Sequence, residues 1–271
     1  MNTQTFAPRL LPTRMVAKVW GRDSLPPPFE TATGERIGEI WFEPATELPQ
    51  VLVKYLFTSE KLSVQVHPSA AQALPGEAGK EECWLVLDAE PDARLAIGFE
   101  RDMTAAELEA AARDGSIETC LTWYLARPGD FFYLPAGTVH AIGAGLALVE
   151  VQQASDTTFR LYDYGRPREL HLERGLAVAS RTPHPPRHRR AVSAGPVLVD
   201  GPHFRLERVE GVPGDGVRAA HGGVLLALPL EGEIAARDSQ VRAAAGQCLI
   251  AAHIDALDFT RAVVTLLIRT G

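Results

Sequence analysis

Cysteine is scarce in this sequence of 271 residues, which contains only Cys83, Cys120 and Cys248. The three lie far apart and never form a CxxC pair, so the sequence predicts neither a disulfide framework nor a zinc site built from thiolates. Long apolar runs are also missing. No stretch approaches the ~20 residues that span a bilayer, and the first residues lack the apolar core of a signal peptide. We therefore expect a cytoplasmic protein with reduced thiols.

Positive charge is in deficit, since 27 Lys and Arg residues face 34 Asp and Glu residues and the formal net charge is −7. Such a chain has no overall positive field to attract nucleic acid or an anionic membrane, and we expect neither as a partner. A dinucleotide-binding loop is absent as well, because Gly143-Ala-Gly145 lacks the third glycine of that fingerprint. We expect a globular protein with a small-molecule partner, as a monomer or a weak homo-oligomer.

Short stretches of alternating apolar residues, rich in β-branched and aromatic side chains, recur along the chain between Gly, Pro and Asp turns. They predict a mainly β protein with antiparallel strands in a sandwich or barrel. The predicted strands cover residues 38–42, 51–57, 62–66, 83–87, 95–99, 130–134, 146–152, 197–199, 204–209, 224–228, 232–234, 248–251 and 263–268. A helix is predicted over residues 103–113, where Thr104 and Glu107 have the spacing of a capping box, and another over residues 170–180.

A proline-rich stretch without an apolar period, residues 181–190, predicts a solvated linker at a domain boundary. His184 and His188 have the i, i+4 spacing that could hold a metal on a helix. Pro185 and Pro186 disfavour a helix there, so we expect no metal site in this stretch.

A weak internal repeat relates the two sides of this linker. Residues 246–252 follow the pattern of residues 129–135, and the same alignment places Leu257 opposite His140. If the second half repeats the first, it has lost the polar side chain at that position.

Three separate segments place metal-binding side chains at strand ends. In the first, alternation puts Ser63, Gln65 and His67 on one face of a strand and the apolar residues Leu62, Val64 and Val66 on the other. A divalent ion bound by the amide oxygen of Gln65 and the imidazole of His67 would account for these polar residues. In the second segment, Glu82 begins an apolar strand and shares its inward face with Trp84.

The third segment, residues 129–140, matches the pattern G-x5-P-x-G-x2-H at each defined position. This pattern is the second signature of the cupin superfamily. Gly129 allows the turn into a strand, Pro135 and Gly137 form the next turn, and His140 starts the following strand. The first cupin signature is met only in part, because a glutamine stands where its first histidine is expected.

Four motifs, in the same order, resemble those of the type I phosphomannose isomerases. They are Gln65-Val-His67-Pro, Gly79-Lys-x-Glu82-Cys-Trp, Pro135-Ala-Gly-Thr-Val-His140-Ala and Glu150-Val-Gln-Gln-x-Ser-Asp156-Thr-Thr-Phe-Arg160-Leu-Tyr-Asp163. The resemblance runs from about Trp20 to Gly165 and is to the short bacterial form, which lacks a large helical domain. It implies two cupin-like β-barrels of the jelly-roll type. Residues 1–185 would form a metal-binding catalytic domain with a short helical insertion, and residues 191–271 a degenerate cupin-like domain.

The resemblance also implies a mannose-6-phosphate isomerase, which interconverts mannose 6-phosphate and fructose 6-phosphate. It implies one zinc ion held by Gln65, His67, Glu82 and His140, and it makes Arg160 the active-site arginine. Two imidazoles, a carboxylate and an amide suit zinc by their chemistry alone, and manganese, iron or cobalt could substitute.

The implied reaction moves a proton between C1 and C2 of the sugar through a cis-enediol and therefore needs a base. Lys80 with a lowered pKa and Glu150 with a raised pKa are the candidates, because burial shifts each towards its neutral form. Arg160 would clamp the substrate or stabilise the developing oxyanion. We expect Ser63 and Lys54 to bind the phosphate at the pocket rim.

Three alternatives stay open. A cupin oxygenase would bind iron and need no phosphate site. A noncatalytic sugar-phosphate sensor would need affinity but no base, and would have no use for Lys80, Glu150 and Arg160. The same barrel could also isomerise another aldose, such as unphosphorylated mannose, because only its rim would differ.

Overall fold

The computed structural model describes residues 6–30, 34–192 and 197–271, which form mainly antiparallel β-sheets. The strands are β1 (Arg9–Leu10), β2 (Thr13–Arg22), β3 (Ile37–Phe42), β4 (Val51–Phe57), β5 (Val64–Val66), β6 (Glu82–Ala89), β7 (Arg94–Phe99), β8 (Leu121–Leu125), β9 (Asp130–Leu134), β10 (His140–Ile142), β11 (Leu146–Gln153), β12 (Phe159–Tyr162), β13 (Arg189–Ala191), β14 (Val197–Asp200), β15 (Phe204–Glu210), β16 (Leu225–Ala236), β17 (Arg242–Ala244), β18 (Leu249–Ala251), β19 (Leu257–Asp258) and β20 (Ala262–Thr270). The helices are α1 (Ala105–Asp114), α2 (Ile117–Cys120), α3 (Leu172–Val178) and α4 (Asp215–Ala220), with 3₁₀ turns at Pro186–His188 and Ile254–Ala256.

The mainly β prediction is confirmed, and each predicted strand finds a counterpart within a few residues. The stretches predicted at 224–228 and 232–234 form one strand, β16, because bulges at Pro229/Glu231 and Glu231/Gly232 carry the chain through without a turn. Both predicted helices are present as α1 and α3. Thr104 and Glu107 form the predicted capping box. None of the helices in the described ranges is long and apolar enough to cross a membrane.

Residues 13–191, the first half of the molecule, form two sheets that face each other across an apolar interior. One has seven strands in the order β13-β9-β6-β11-β4-β3-β2, and the other has five in the order β12-β5-β10-β7-β8. Side chains from both, such as Trp84 and Leu148 from the first and Ile97 and Ile142 from the second, form one buried cluster between them. The strands also bring the predicted polar residues to this interior.

The outer face of the five-stranded sheet is covered by α1, α2 and α3. Val64 and Val66 of β5 pack on that side with Leu108 of α1, so Gln65 between them faces the interior. The predicted alternation is therefore correct for β5 itself. Leu62 was expected on the same face as the two valines, but it lies before the strand begins and packs against Trp20 and the interior cluster.

The remaining strands form a third sheet in the order β1-β18-β16-β20-β15-β14, with β17 and β19 paired to β16. Its face packs against the back of the seven-stranded sheet. Val53 and Val149 from the seven-stranded sheet share a buried cluster with Phe204, Leu226 and Ile268 from the third. The two halves of the chain are thus joined by a common apolar core, and β1 from the N-terminal part pairs with β18.

The stretch 181–190, predicted as a solvated linker, is mostly exposed, but parts of it also pack and pair against the first half. His184 is buried, and its Nε2 donates a hydrogen bond to the carbonyl of Tyr133 at 2.8 Å. Arg189–Ala191 forms β13, which pairs with β9. The sequence did not predict this strand because the arginines leave the region without alternating apolar residues. β13 joins the sheet through backbone hydrogen bonds, which do not require such a pattern.

The end of β4 is fastened to the turn between β10 and β11 by the buried side chain of Thr58. Its hydroxyl donates to the carbonyl of Gly143 at 2.8 Å and accepts from the amide of Leu146 at 3.0 Å. We predict that Thr58→Val, which keeps the shape and removes both hydrogen bonds, lowers the free energy of unfolding by about 1 to 3 kcal/mol. Urea unfolding measures this. Thr46→Val at an exposed site is the control, and an equal loss in both variants would contradict the prediction.

Candidate metal centre and active site

His67, Glu82 and His140 come together at the ends of three strands, β5, β6 and β10. Glu82 begins β6 and points between the two sheets, His140 begins β10, and His67 follows the end of β5. One ligand atom from each lies within 4.8 Å of the others, and all three residues are buried. This is the one group of three or more His, Cys, Asp or Glu side chains in the described ranges that could share a metal ion.

The turn before His140 is fixed by the motif that the sequence singled out. Gly137 has a φ of 86°, which favours glycine, and a Cβ there would lie 2.9 Å from the carbonyl oxygen of Val178. Its amide donates to the carbonyl of His67 at 2.8 Å. The turn therefore ties the two histidine-bearing segments directly to each other.

Both histidines present an unprotonated Nε2 to Glu82. Their Nδ1 atoms lie 2.9 Å from backbone carbonyls, of Thr157 for His67 and of Thr138 for His140, so Nδ1 carries the proton in each ring. Burial lowers the pKa of both imidazoles, for His67 well below its ordinary value and with the help of the nearby Lys80 charge. Neutral imidazoles held in this tautomer are the form that binds metals.

The carboxylate of Glu82 completes this donor set. Its Oε2 lies 3.6 Å from Nε2 of His67, and its Oε1 lies 3.4 Å from Nε2 of His140. Among the described residues Oε1 has no hydrogen-bond partner, although Glu82 is only 1% exposed. Burial raises the pKa of this carboxyl, but the charge and the hydrogen bond of Lys80 act against burial and the net pKa is lowered. An ionised, unsatisfied oxygen beside two imidazole lone pairs fits a divalent cation.

Gln65 lies beside this group rather than in it. Its amide Nε2 is 3.2 Å from Nε2 of His140 and donates to it, and its Oε1 accepts from Ser63 at 3.1 Å. Ser63 and Gln65 thus share one face, as the alternation predicts.

Two lysines and a second carboxylate adjoin the cluster. Lys80 donates to Oε2 of Glu82 and, at 3.1 Å, to Nε2 of His67. Oε1 of Glu150 lies 3.2 Å from Nζ of Lys54 and 3.9 Å from Nζ of Lys80, and its Oε2 accepts from the indole of Trp84 at 3.0 Å. Every contact of Glu150 is thus with a donor.

The expected lowering of the Lys80 pKa is wrong. Burial does lower it, but Glu150 and Glu82 attract the ammonium more strongly, and the net pKa is raised. The sequence shows the burial and not the two carboxylates that converge on Nζ from different strands.

Beside the cluster of His67, Glu82 and His140, a cavity of about 300 Å³ opens between the sheets. Lining it are the predicted residues Lys54, Ser63, Gln65, Lys80, Glu150 and Arg160. Lys54 and Ser63 are not at the rim, where we expected them. Lys54 is only 3% exposed, and its ammonium lies over the ring of Trp41 beside Glu150. Ser63 is equally buried.

Arg160, on β12, is half-buried in the cavity wall and pairs in register with Gln65. Burial lowers its pKa, and so does the neighbouring charge of Arg168. Its guanidinium donates one long hydrogen bond, of 3.4 Å, to the carbonyl of Glu169.

Six polar residues of the cavity wall were not predicted as site residues: Lys18, Glu39, Asp156, Thr158, Arg168 and His171. Glu39 accepts from the indole of Trp41 at 2.8 Å and pairs with Lys18 at 3.2 Å, which fixes the wall next to Lys54. Alternation along β3 places Glu39 and Trp41 on one face and could have identified that pair. Arg168 and His171 lie after β12 in a segment with no regular period.

No family model matches the chain. Among curated proteins it is 44% identical, over 147 residues, to the mannose-6-phosphate isomerase ManA of Bacillus subtilis (strain 168), a match that covers 51% of this chain and 46% of that protein. The matched region therefore spans less than half the length of this curated relative.

Solved structures extend the likeness to the whole chain. The crystal structure of the mannose 6-phosphate isomerase from Bacillus subtilis superposes with a TM-score of 0.78 at 25% identity, covering 97% of this chain and 99% of that one. A zinc-bound holo mannose 6-phosphate isomerase shares the fold with a TM-score of 0.67 at 14% identity, covering 98% and 100%. The resemblance to the type I mannose-6-phosphate isomerases that four motifs predict is thereby confirmed.

Proposed function

We propose that the protein is a zinc-dependent aldose-ketose isomerase that interconverts mannose 6-phosphate and fructose 6-phosphate. The observation that carries the proposal is the buried His67, Glu82 and His140 cluster. Through its contacts with Gln65 and Lys80 it adjoins the cavity that Glu150 and Arg160 line. The names of the curated relative and of the solved structure that covers nearly the whole chain support this substrate.

Gln65, His67, Glu82 and His140 would hold one zinc ion per chain. Gln65 would contribute its oxygen after a half-turn of the amide, which exchanges the two atoms that now face Ser63 and His140. When bound, zinc supplies a Lewis acid that stabilises negative charge on sugar oxygens. The zinc-bound relative supports this choice of metal.

In a cis-enediol mechanism, two different side chains of this protein would carry out the two kinds of proton transfer. We assign removal of the carbon-bound proton to Glu150, because its contacts are with donors and it faces the cavity. We assign proton donation at the sugar oxygens to Lys80, whose contacts are all with acceptors or carboxylates. Arg160, with its guanidinium fork free of a carboxylate partner, would clamp the sugar and the charge that develops on its oxygens.

Ser63 and Lys54 remain proposed substrate contacts, with a changed role. Both line the cavity, but both are buried beside the cluster. At this depth they would meet hydroxyl groups near the reacting carbons rather than the phosphate at the other end of the substrate.

We further propose that the chain forms two cupin-like barrels, in domains of residues 1–185 and 191–271. The strand registers support this. In the first half Glu82 pairs with Leu134, and in the second Leu225 pairs with Ala251, which the internal repeat aligns with Leu134. The repeat would thus place leucines at the positions of Glu82 and His140, so that only the first barrel binds a metal. Monomeric or weakly oligomeric state and cytoplasmic location stay predictions.

We predict that the purified protein carries about one equivalent of zinc and converts mannose 6-phosphate in a coupled assay. His140→Ala should lose the metal and the activity while keeping its circular dichroism spectrum, because the backbone pairing of β10 with β5 and β7 remains. Metal analysis of both proteins tests this. An iron-loaded protein that consumes oxygen would favour the oxygenase. Metal-replete protein that binds the sugar phosphate without converting it would favour the sensor, and conversion of mannose alone would favour another aldose as substrate.

Glu150→Gln should keep the metal and lower kcat by about 100-fold or more, the range attributed to a general base. The proton removed from C2 should then exchange with deuterated solvent far more slowly, as followed by NMR. Glu81→Gln is the matched control, since Glu81 neighbours Glu82 but does not line the cavity. If the C2 proton exchanges as fast in Glu150→Gln as in the unaltered protein, Lys80 rather than Glu150 would be the base.

Arg160→Ala should retain the metal and lose about 100-fold or more in kcat, because preorganised charge at the developing oxyanion is lost. Arg160→Lys keeps the charge but not the fork, and we expect it to recover only part of the rate. Steady-state kinetics with metal analysis measures both effects. Full activity in Arg160→Ala would refute the assignment of this residue.

A further inference from the structure

The cavity wall formed by β12 and the segment after it carries cationic groups that the protein does not fully neutralise. Arg160 makes no ion pair with a carboxylate of the described residues, and its one side-chain hydrogen bond is the long contact with the carbonyl of Glu169. Burial and the Arg168 charge lower its pKa, and the charges of Asp163, Glu169 and Asp156, which lie beyond ion-pair distance, offset this only in part. An anion in the cavity would relieve this repulsion.

Arg168 is held towards the cavity by the carboxylate of Asp163, which also binds Arg166. The buried Asp163 accepts from Nε and Nη2 of Arg168, each at 2.6 Å, and from Nη2 of Arg166 at 2.7 Å. One negative charge therefore faces two guanidinium groups. Nη1 of Arg168 takes no part in these bonds, and the residue lines the cavity.

His171 lines the same wall with its tautomer fixed. Its backbone amide donates to the carbonyl of Arg160 at 2.8 Å, and its Nδ1 accepts from the amide of Arg160 at 3.2 Å. Burial and the Arg160 charge lower its pKa, so the ring is neutral and its proton is on Nε2. The nearest carboxylate in an ion-pair geometry, of the exposed Glu169, lies 3.9 Å from Nε2, beyond hydrogen-bond distance. Nε2–H is thus a donor without a close acceptor.

The position of these groups relative to the metal ligands follows from the sheet. His140 pairs with Gln65 across β10 and β5, and Gln65 pairs with Arg160 across β5 and β12. Adjacent strands are about 4.8 Å apart, so Arg160 lies roughly 10 Å from the His140 backbone, and His171 is one hydrogen-bonded step further out. A sugar whose C1 and C2 lie at the metal ligands would extend its far end along this line.

We propose that His171 and Arg168, one step further from the metal ligands than Arg160, form the subsite for the phosphate group, and that they select phosphomonoesters over free sugars. This inference rests on the proposed function, because it takes the reacting end of the sugar to lie at the metal ligands. Nε2–H of His171 and Nη1 of Arg168 donate to the phosphate oxygens, and the unmatched positive charge attracts the dianion.

The test compares His171→Leu, which removes the donor, with His171→Gln, which restores an N–H at a similar reach. His171→Leu should raise KM for mannose 6-phosphate about 10-fold or more while kcat changes less than about 3-fold, as expected for the loss of one charge-assisted hydrogen bond. It should weaken binding of inorganic phosphate, measured by calorimetry, to the same degree. His171→Gln should recover most of both losses.

Arg174→Gln is the matched control. Arg174 lies over the ring of Phe159, close enough for its charge to lower the pKa of His171, but it does not line the cavity. Arg174→Gln should change KM and the affinity for phosphate by less than about 2-fold relative to the unaltered protein. If His171→Leu does not fold, Arg168→Lys answers the same question, because it keeps a cation beside Asp163 and removes the free Nη1.

The outcomes separate the two proposals. Turnover of mannose 6-phosphate with unchanged KM and phosphate binding in His171→Leu and Arg168→Lys would overturn the subsite and leave the isomerase intact. Equal losses in Arg174→Gln would also overturn it, because a general field would then explain the effect. Phosphate binding that depends on His171 in a protein that converts no mannose 6-phosphate would support the subsite and refute the proposed function.

Discussion

The arrangement of the first half depends on the ionised carboxylate of Glu82, buried between two sheets. An isolated charge at this depth would cost several kcal/mol, so it must be compensated by positive groups or by groups that can bind a cation. Here the ammonium of Lys80 pairs with one oxygen, while the other faces His140 without a hydrogen bond. The backbone carbonyls of Thr138 and Thr157 in turn fix the rings that face it. The site is therefore prepared for a cation by the fold itself.

This constraint explains why the site is built at strand ends. β5, β6 and β10 belong to two different sheets, and their interior surface is otherwise apolar, with Trp84 and Ile142 beside the polar cluster. Polar side chains in the middle of such an interior need partners from neighbouring strands, as Glu150 of β11 and Lys54 of β4 find in each other, whereas at the strand ends the turns supply carbonyl groups. Gly137 contributes to this, because its turn brings the segments of His67 and His140 into hydrogen-bond contact.

The sequence predicts the metal cluster better than it predicts the rest of the cavity. His67, Glu82 and His140 follow from motifs and from alternation within single strands, which a sequence contains directly. The raised pKa of Lys80 and the burial of Lys54 depend on Glu150, which reaches both from β11 through pairing with β4 and β6. His171 has no local signal at all, because its role depends on backbone hydrogen bonds to Arg160 and on the sheet that positions both.

In the proposed second barrel, the positions that correspond to the cation site are mostly apolar. Leu225 and Leu257, which the repeat aligns with Glu82 and His140, are fully buried in one apolar cluster. By the same strand registers Glu150 and Lys54 correspond to Leu267 and Glu207. Leucine at three of these four positions removes buried polar groups and adds apolar burial to the core instead. The fourth, Glu207, is still a buried carboxylate, and it pairs with Arg205. The same inward positions can thus hold either metal-binding or apolar side chains. The first half has polar side chains there, and the second half has mostly leucine.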